Sequence, residues 1–138
     1  MQEKQGQKES AEVTIFPIPF ALVKIQENII INSKTPSQLS KEQIINQAFK
    51  LHSEGNIKEA ARYYQYFIDQ GFNDHKVFSN YGVILQKQGK LKEAEILYQK
   101  AIKINPNFAD AHLNLGSTLK DLGKLKKAEL STRKAIEL

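Results

Sequence analysis

Cysteine and tryptophan are absent from the chain of 138 residues, and there is one methionine. Without cysteine the protein can form neither disulfide bonds nor zinc sites with thiolate ligands. This fits a reducing compartment, and we predict a cytoplasmic protein. Long apolar runs are missing too, because the apolar stretch 13–23 is about half of the roughly 20 residues that a membrane span needs. Pro17 and Pro19 interrupt that stretch, so no membrane span is predicted.

The sequence also has little that would serve catalysis or metal binding. His52, His75 and His112 are scattered, and none has a second ligand at the spacing of a helical metal site. The glycines do not cluster as a phosphate-binding loop. No arrangement of serine and histidine typical of nucleophilic catalysis is present. We therefore predict that the protein is not an enzyme and uses no metal or cofactor.

What the sequence does contain is an internal repeat at a lag of 34 residues over residues 41–138. The residues that recur at this lag are Asn46, Asn80 and Asn114; Leu51, Leu85 and Leu119; Gly55, Gly89 and Gly123; Lys58, Lys92 and Lys126; Ala60, Ala94 and Ala128; and Ile68, Ile102 and Ile136. A fixed period of about 20–50 residues indicates stacked supersecondary units. Such arrays serve mainly as binding surfaces, so the repeat predicts a binding function without naming the ligand.

Local signals divide each repeat into two helices. Ser40 and Gln43 form a capping-box pattern at the start of the first helix, and Asp74 suits the cap of the third. The recurring glycine after the first helix of each repeat can adopt the left-handed conformation in which helices often end. The predicted helices are residues 41–54, 57–70, 75–88, 91–104, 109–122 and 125–137.

The repeats resemble those of the tetratricopeptide repeat (TPR) family, whose pattern is W-x2-L-G-x2-Y, then A-x3-F, then P. The second repeat, residues 75–108, matches with Phe78, Tyr81, Gly82, Leu85, Ala94, Tyr98 and Pro106. The third, residues 109–138, matches with His112, Leu115, Gly116, Leu119 and Ala128, and the first, residues 41–74, is the most divergent. The resemblance implies an all-α fold, a right-handed α-solenoid of three helix-turn-helix TPR repeats with an irregular N-terminal extension.

The extension, residues 1–40, resembles no family. Residues 1–12 are polar and of mixed charge, which predicts disorder. Residues 13–31 form an apolar arm and residues 32–39 a linker. The arm either folds onto the repeats or binds a partner, and the first is favoured because a free apolar run promotes aggregation.

The last predicted helix carries apolar residues, such as Leu130, Ile136 and Leu138, that no further helix is seen to cover. Terminal repeats require a polar outer face for solubility. Either the arm covers these side chains, or they allow self-association through the uncapped C-terminal helix.

The net charge of +5 belongs to residues 41–138, because four lysines balance four acids in residues 1–40. Lysines concentrate in or beside the turns within the second and third repeats; they are Lys90, Lys92, Lys124, Lys126 and Lys127. A positive edge would suit nucleic acid, but neither stacked aromatics nor a nucleic-acid-binding motif accompanies it. We interpret the lysines as a solvated rim and predict no specific nucleic-acid partner.

In the TPR fold the first helix of each repeat lines the concave surface, so the resemblance implies where a ligand would bind. The residues at those positions are Ile45, Asn46 and Phe49 in the first repeat, Asn80, Val83 and Lys87 in the second, and Leu113, Asn114, Ser117 and Lys120 in the third. These ten residues are the predicted peptide-binding site.

The three asparagines of that set, Asn46, Asn80 and Asn114, hold the same repeat position. An asparagine amide can pair with both the N–H and the C=O of a peptide backbone. The superhelical TPR region of the enzymes that attach N-acetylglucosamine to proteins uses such a ladder, and residues 109–115 (ADAHLNL) are similar to its repeats. The alternative is that these asparagines bond locally within the array.

These features predict a non-enzymatic module that binds an extended peptide or partner protein on the concave TPR surface. The alternatives are a substrate-recognition fragment of a larger transferase and a structural protein that assembles end to end. TPR domains that clamp chaperone C-termini use basic and asparagine side chains where this chain has Ile45, Asp110 and Asn114, and Phe49 replaces the asparagine. Only Asn80 matches that clamp, so binding of a chaperone C-terminus is not expected.

Overall fold

The computed structural model describes residues 39–138, and the regular structure in that range is helical throughout. Its helices are α1 (Lys41–Ser53), α2 (Ile57–Asp69), α3 (His75–Lys87), α4 (Leu91–Ile104), α5 (Ala109–Asp121) and α6 (Leu125–Glu137). Each begins at the residue predicted from the sequence and ends at, or one residue before, its predicted end. The prediction of an all-α array of helix-turn-helix repeats is confirmed.

The predictions for the extension concern residues that lie almost wholly outside the described range. The disorder of residues 1–12, the apolar arm 13–31 and all but the last residue of the linker 32–39 fall there. Within residues 39–138, no helix is long and apolar enough to cross a membrane. Nor do three or more histidines, aspartates or glutamates gather there as possible metal ligands.

The N-terminal caps of α1 and α3 have the hydrogen bonds that the sequence predicts. The Ser40 hydroxyl accepts a hydrogen bond from the Gln43 backbone N–H at 3.1 Å, and the Ser40 N–H donates to Gln43 Oε1 at 2.8 Å. Asp74 Oδ1 accepts from the backbone N–H groups of Lys76 and Val77, at 2.8 and 3.0 Å. Each cap satisfies donors that the first helical turn leaves unpaired.

Left-handed glycines end the first helix of each repeat. Gly55, Gly89 and Gly123 have φ values of 82°, 82° and 81°, which a residue with a Cβ adopts only at a cost. At the end of α3 the turn is closed by the Lys90 N–H, which donates to the Leu85 carbonyl at 2.9 Å. Gly71, at the end of α2, has the same conformation, although the sequence analysis did not single it out.

The described residues divide into two compact units, residues 39–66 and 67–138, and the boundary falls within α2. In the described part of the first unit, Ile44 and Leu51 of α1 and Tyr63 and Tyr64 of α2 are fully buried. The Tyr64 hydroxyl lies 2.9 Å from His52 Nδ1. Burial raises the pKa of Tyr63 well above its usual range, so this hydroxyl stays protonated.

The second unit contains α3 to α6 around one apolar core. The core residues are Phe78, Leu85, Ala94, Leu97, Tyr98, Ala101, Ala111, Leu115, Leu119 and Ala128. Helix α3 packs against α4, α5 packs against α6, and α5 also packs against both α3 and α4. Helix α5 therefore sits in the groove that the preceding pair of helices forms.

Small residues allow the paired helices to approach closely. A Cβ at Gly82 would lie 2.8 Å from Cε1 of Tyr98, and a Cβ at Gly116 would overlap Thr132 Oγ1. His112, which replaces a large aromatic in the third repeat, is buried, and its Nε2 lies 2.8 Å from the Pro106 carbonyl oxygen.

Candidate functional site

The predicted binding residues of the third repeat share one outward face of α5. Leu113 and Ser117 are four residues apart, and Asn114, Ser117 and Lys120 follow one another at three, spacings that place side chains together on a helix. Leu113 is 52% exposed, a large value for a leucine inside a packed array. Ser117 and Lys120 are also exposed, and Asn114 is half-buried. The face offers one apolar side chain beside three polar ones.

Helix α6 supplies a second wall, which the sequence analysis did not predict. The α5–α6 groove is lined by Leu113, Asn114, Gly116, Ser117 and Lys120 of α5 and by Leu125, Ala128, Glu129, Thr132, Arg133 and Ile136 of α6. It encloses about 610 Å³. Leu125 is 64% and Ile136 79% exposed. The sequence signal for this wall is the recurrence of Leu125, Ala128, Thr132 and Ile136 at helical spacing.

The charged groups of the groove are mostly basic. Arg133 Nη2 lies 3.0 Å from Glu129 Oε2 one turn earlier on α6. Lys120 has no ion pair within residues 39–138. Outside the groove lining, Lys124 Nζ binds both carboxylate oxygens of the buried Glu95, each at 3.1 Å. The groove therefore presents two cations and one carboxylate, and that carboxylate is already paired.

The predicted residues of the second repeat lie on α3, in the same unit as α5. Asn80 is half-buried and Lys87 exposed, whereas Val83 packs partly against the apolar core. Much of the Val83 side chain is therefore used by the fold and is not available to a ligand.

Gln86 links these two surfaces, and the sequence analysis missed it. Its Nε2 donates to Ser117 Oγ at 3.3 Å, and its Oε1 accepts from the Tyr98 hydroxyl at 2.8 Å. Burial raises the pKa of Tyr98 well above its usual range, so the hydroxyl remains a donor at physiological pH. The relay fixes the Gln86 amide beside the predicted site.

The predicted residues of the first repeat lie on α1, in the first unit. Asn46 is exposed, and Ile45 and Phe49 are half-buried. The Phe49 ring also packs against Tyr64, with ring centroids 6.2 Å apart. Within each unit the predicted residues share a helix surface, and those of the third repeat line a groove.

Comparison with known proteins identifies the fold. Residues 82–128 match the family model described as TPR repeat. The second TPR of Spaghetti (RPAP3), bound to the HSP90 peptide SRMEEVD, is 24% identical with a TM-score of 0.65, over 71% of this chain and 88% of that one. The TPR2B domain of yeast Sti1, in a complex with pHsp70, is 21% identical with a TM-score of 0.61, over 69% of this chain and 76% of that one.

A third similar structure covers more of this chain. MamA is 18% identical with a TM-score of 0.67, over 86% of this chain and 63% of its own. No curated protein sequence matches the chain. The described residues therefore have the TPR fold, and the resemblance to TPR repeats inferred from the sequence is confirmed at that level.

Proposed function

We propose that this TPR-fold array is a non-enzymatic protein-interaction module that holds an extended peptide along α3 and α5, the first helices of its second and third repeats. The observation that carries the proposal is the shared repeat position of Asn46, Asn80 and Asn114. Asn80 and Asn114 lie on α3 and α5 of one unit. Each amide offers donors and an acceptor to a peptide backbone, so the contacts would depend little on the ligand's side chains.

Neighbouring apolar side chains would supply sequence preference. Leu113 is half-exposed beside Asn114, and burying such a side chain against a ligand is favourable by about 25 cal/mol per Å² of apolar surface. Lys87 and Lys120 would add attraction for acidic residues, weakened by salt because both are exposed. The similar TPR structures in complex with peptides agree with this kind of ligand, and the ladder itself is our inference.

The test uses peptides selected by display against the whole chain and measured by titration calorimetry. An Asn80→Ala, Asn114→Ala variant should weaken every selected peptide by about tenfold or more, because it removes contacts to the ligand backbone. Asn107→Ala changes an exposed asparagine in a turn and should change affinity by less than about twofold. Circular dichroism must show that both variants keep their helices.

A ligand with a modified backbone distinguishes loss of the asparagine contacts from general damage to the protein by the substitutions. N-methylation of the ligand amide that meets the asparagine should cost affinity in the parent protein and little in the double variant. If N-methylation lowered affinity equally in the parent and in the double variant, the asparagine ladder would be disproved. The peptide SRMEEVD, bound by the similar Spaghetti domain, serves as a further control. We expect SRMEEVD to bind no tighter than the same peptide amidated at its C-terminus, because Ile45, Phe49 and Asp110 offer a terminal carboxylate no cationic partner.

A further inference from the structure

The α5–α6 groove has an internal counterpart that is already occupied. The lag of 34 residues relates it to the groove between α3 and α4, in which α5 packs. Leu113 corresponds to Ser79, which is 3% exposed where Leu113 is 52% exposed. Glu129 and Thr132 correspond to Glu95 and Tyr98, both buried. The two grooves are built from the same repeat positions, and one of them is filled by a helix.

The helix that fills the first groove defines what would fit the second. Ala111, Leu115 and Thr118 recur at four and three residues along one stripe of α5 and are buried. Ala111 and Leu115 belong to the same core as residues of α3 and α4. Gly116 lies on a different side of α5, against Thr132 of α6. A helix with small or apolar residues at i, i+4 and i+7 is therefore the occupant that this repeat geometry accepts.

The charges of the groove favour acidic residues on the flanks of such a helix. The charged residues that line the groove are Lys120, Glu129 and Arg133, and Arg133 already pairs with Glu129. Residues 109–138 contain six basic and four acidic side chains, a net charge of +2. A helix with acidic flanks would pair with Lys120 and Arg133, whereas a basic one would be repelled.

A second copy of the chain fits the groove poorly. The residues of α1 that correspond to Ala111, Leu115 and Thr118 are Gln43, Gln47 and Lys50, all polar. Stacking the first repeat of one copy on the last repeat of another would bury these side chains against Leu125 and Ile136. Two copies meeting groove to groove would bring Lys120 and Arg133 against their own like charges.

We propose that the α5–α6 groove is a docking site for an amphipathic helix of a partner protein, small or apolar at i, i+4 and i+7 and acidic on its flanks. Its ligand is helical and engages α6, so this site differs from the extended-peptide surface and does not rest on it. The two share the exposed face of α5, and occupancy of one would therefore restrict the other.

The probe is a labelled synthetic peptide of residues 107–124 with the substitutions Gly116→Ala, Lys120→Glu and Lys124→Glu, acetylated and amidated at its ends. It retains the stripe of α5, gains helix propensity from alanine and carries acidic flanks. Two control peptides are made. One retains both lysines, and the other has Leu115→Asp in the stripe. Fluorescence anisotropy with the whole chain should show saturable binding of the probe and binding at least about tenfold weaker for each control.

Matched protein variants test whether the probe occupies the groove. Arg133→Glu and Ile136→Gln alter the α6 wall, and each should weaken the probe by about tenfold or more. Lys134→Glu and Leu130→Gln make the same changes at exposed α6 residues that do not line the groove, and both should remain within about twofold of the parent. Asn80→Ala, which tests the extended-peptide surface, should leave probe binding unchanged.

The absence of cysteine allows a direct identification of the occupant. In a Lys134→Cys variant, at an exposed α6 residue outside the groove lining, the single thiol is coupled to a photoactivatable cross-linker, and the products are analysed by mass spectrometry with the probe present. A cross-link to the probe supports the proposal. Cross-links formed instead to a second copy or to residues 1–38 of the same chain overturn it, as does binding unaffected by Arg133→Glu and Ile136→Gln, or no binding of the probe.

Discussion

Close packing of α5 against α6 in the third repeat depends on the absence of a Cβ at Gly116. A Cβ there would overlap Thr132 Oγ1 and come within 3.2 Å of the Ala128 carbonyl oxygen. We expect Gly116→Ala to lower the free energy of unfolding by about 1–3 kcal/mol, the usual cost of overpacking. The gain in helix propensity from alanine, about 1 kcal/mol, offsets part of this. Urea denaturation of the purified chain measures the difference.

The same pair of residues supplies the control. Thr132→Ala removes the hydroxyl that the new methyl group would meet, so the double variant should recover part of the loss. The recovery is incomplete, because the Ala128 carbonyl belongs to the backbone and remains in place. A double variant no more stable than the sum of the two single changes would show that the methyl group does not meet Thr132.

Capping distinguishes the elements of the array from one another. Asp74 accepts two backbone N–H groups at the start of α3, whereas Lys90 and Lys124, before α4 and α6, make no such bond. We expect Asp74→Ala to destabilise the chain by about 1 kcal/mol, a typical loss for an N-cap. Thermal unfolding followed by circular dichroism measures the shift. Asp74→Asn should stay near the parent, since asparagine caps equally well, and an equal loss for both variants would contradict a capping role.

The element boundaries could be predicted because their causes are local in the sequence. Ser40 with Gln43, Asp74 and the recurring glycines all act within a few residues of the helix end that they determine. Four predicted binding residues, among them Leu113 and Lys120, do line one groove.

The remainder of the groove depends on contacts between elements, which the sequence pattern does not display. Arg133 and Ile136 were not predicted because only the first helix of each repeat was assigned to the binding surface. Gln86 was missed because its partners, Tyr98 and Ser117, are 12 and 31 residues away. Val83 was predicted as a ligand contact, yet it packs partly against the core. These contacts join residues of different helices, so the sequence pattern alone does not show them.

At the scale of the whole molecule, the helices of the second unit differ in how many neighbouring helices they pack against. Helix α4 packs against both α3 and α5, whereas the main partner of α6 is α5. In repeat proteins stability is close to a sum of unit and nearest-neighbour terms, so a helix with fewer neighbours opens more easily. We expect backbone amides of α6 to exchange with solvent roughly tenfold or more faster than those of α4.

Hydrogen exchange followed by mass spectrometry tests whether α6 is less protected than α4. The acidic helical probe, if it docks beside α6, should slow exchange there and leave α4 almost unchanged. Equal protection of α4 and α6 in the unliganded chain would show that the unit opens as a single body. Leu130→Gln, which changes an exposed α6 residue outside the groove, controls for effects of the substitution on α6 itself.

The contact between Gly116 and Thr132 also bears on the entropy of association. Both residues line the α5–α6 groove, and their contact fixes the separation of its walls before any ligand arrives. A receptor with preformed walls loses little conformational freedom on binding. A short isolated helix, in contrast, is only marginally stable in water, so the ordering cost falls on the ligand. Affinity at this groove should therefore rise with the helicity of the free ligand, even among ligands that make identical contacts.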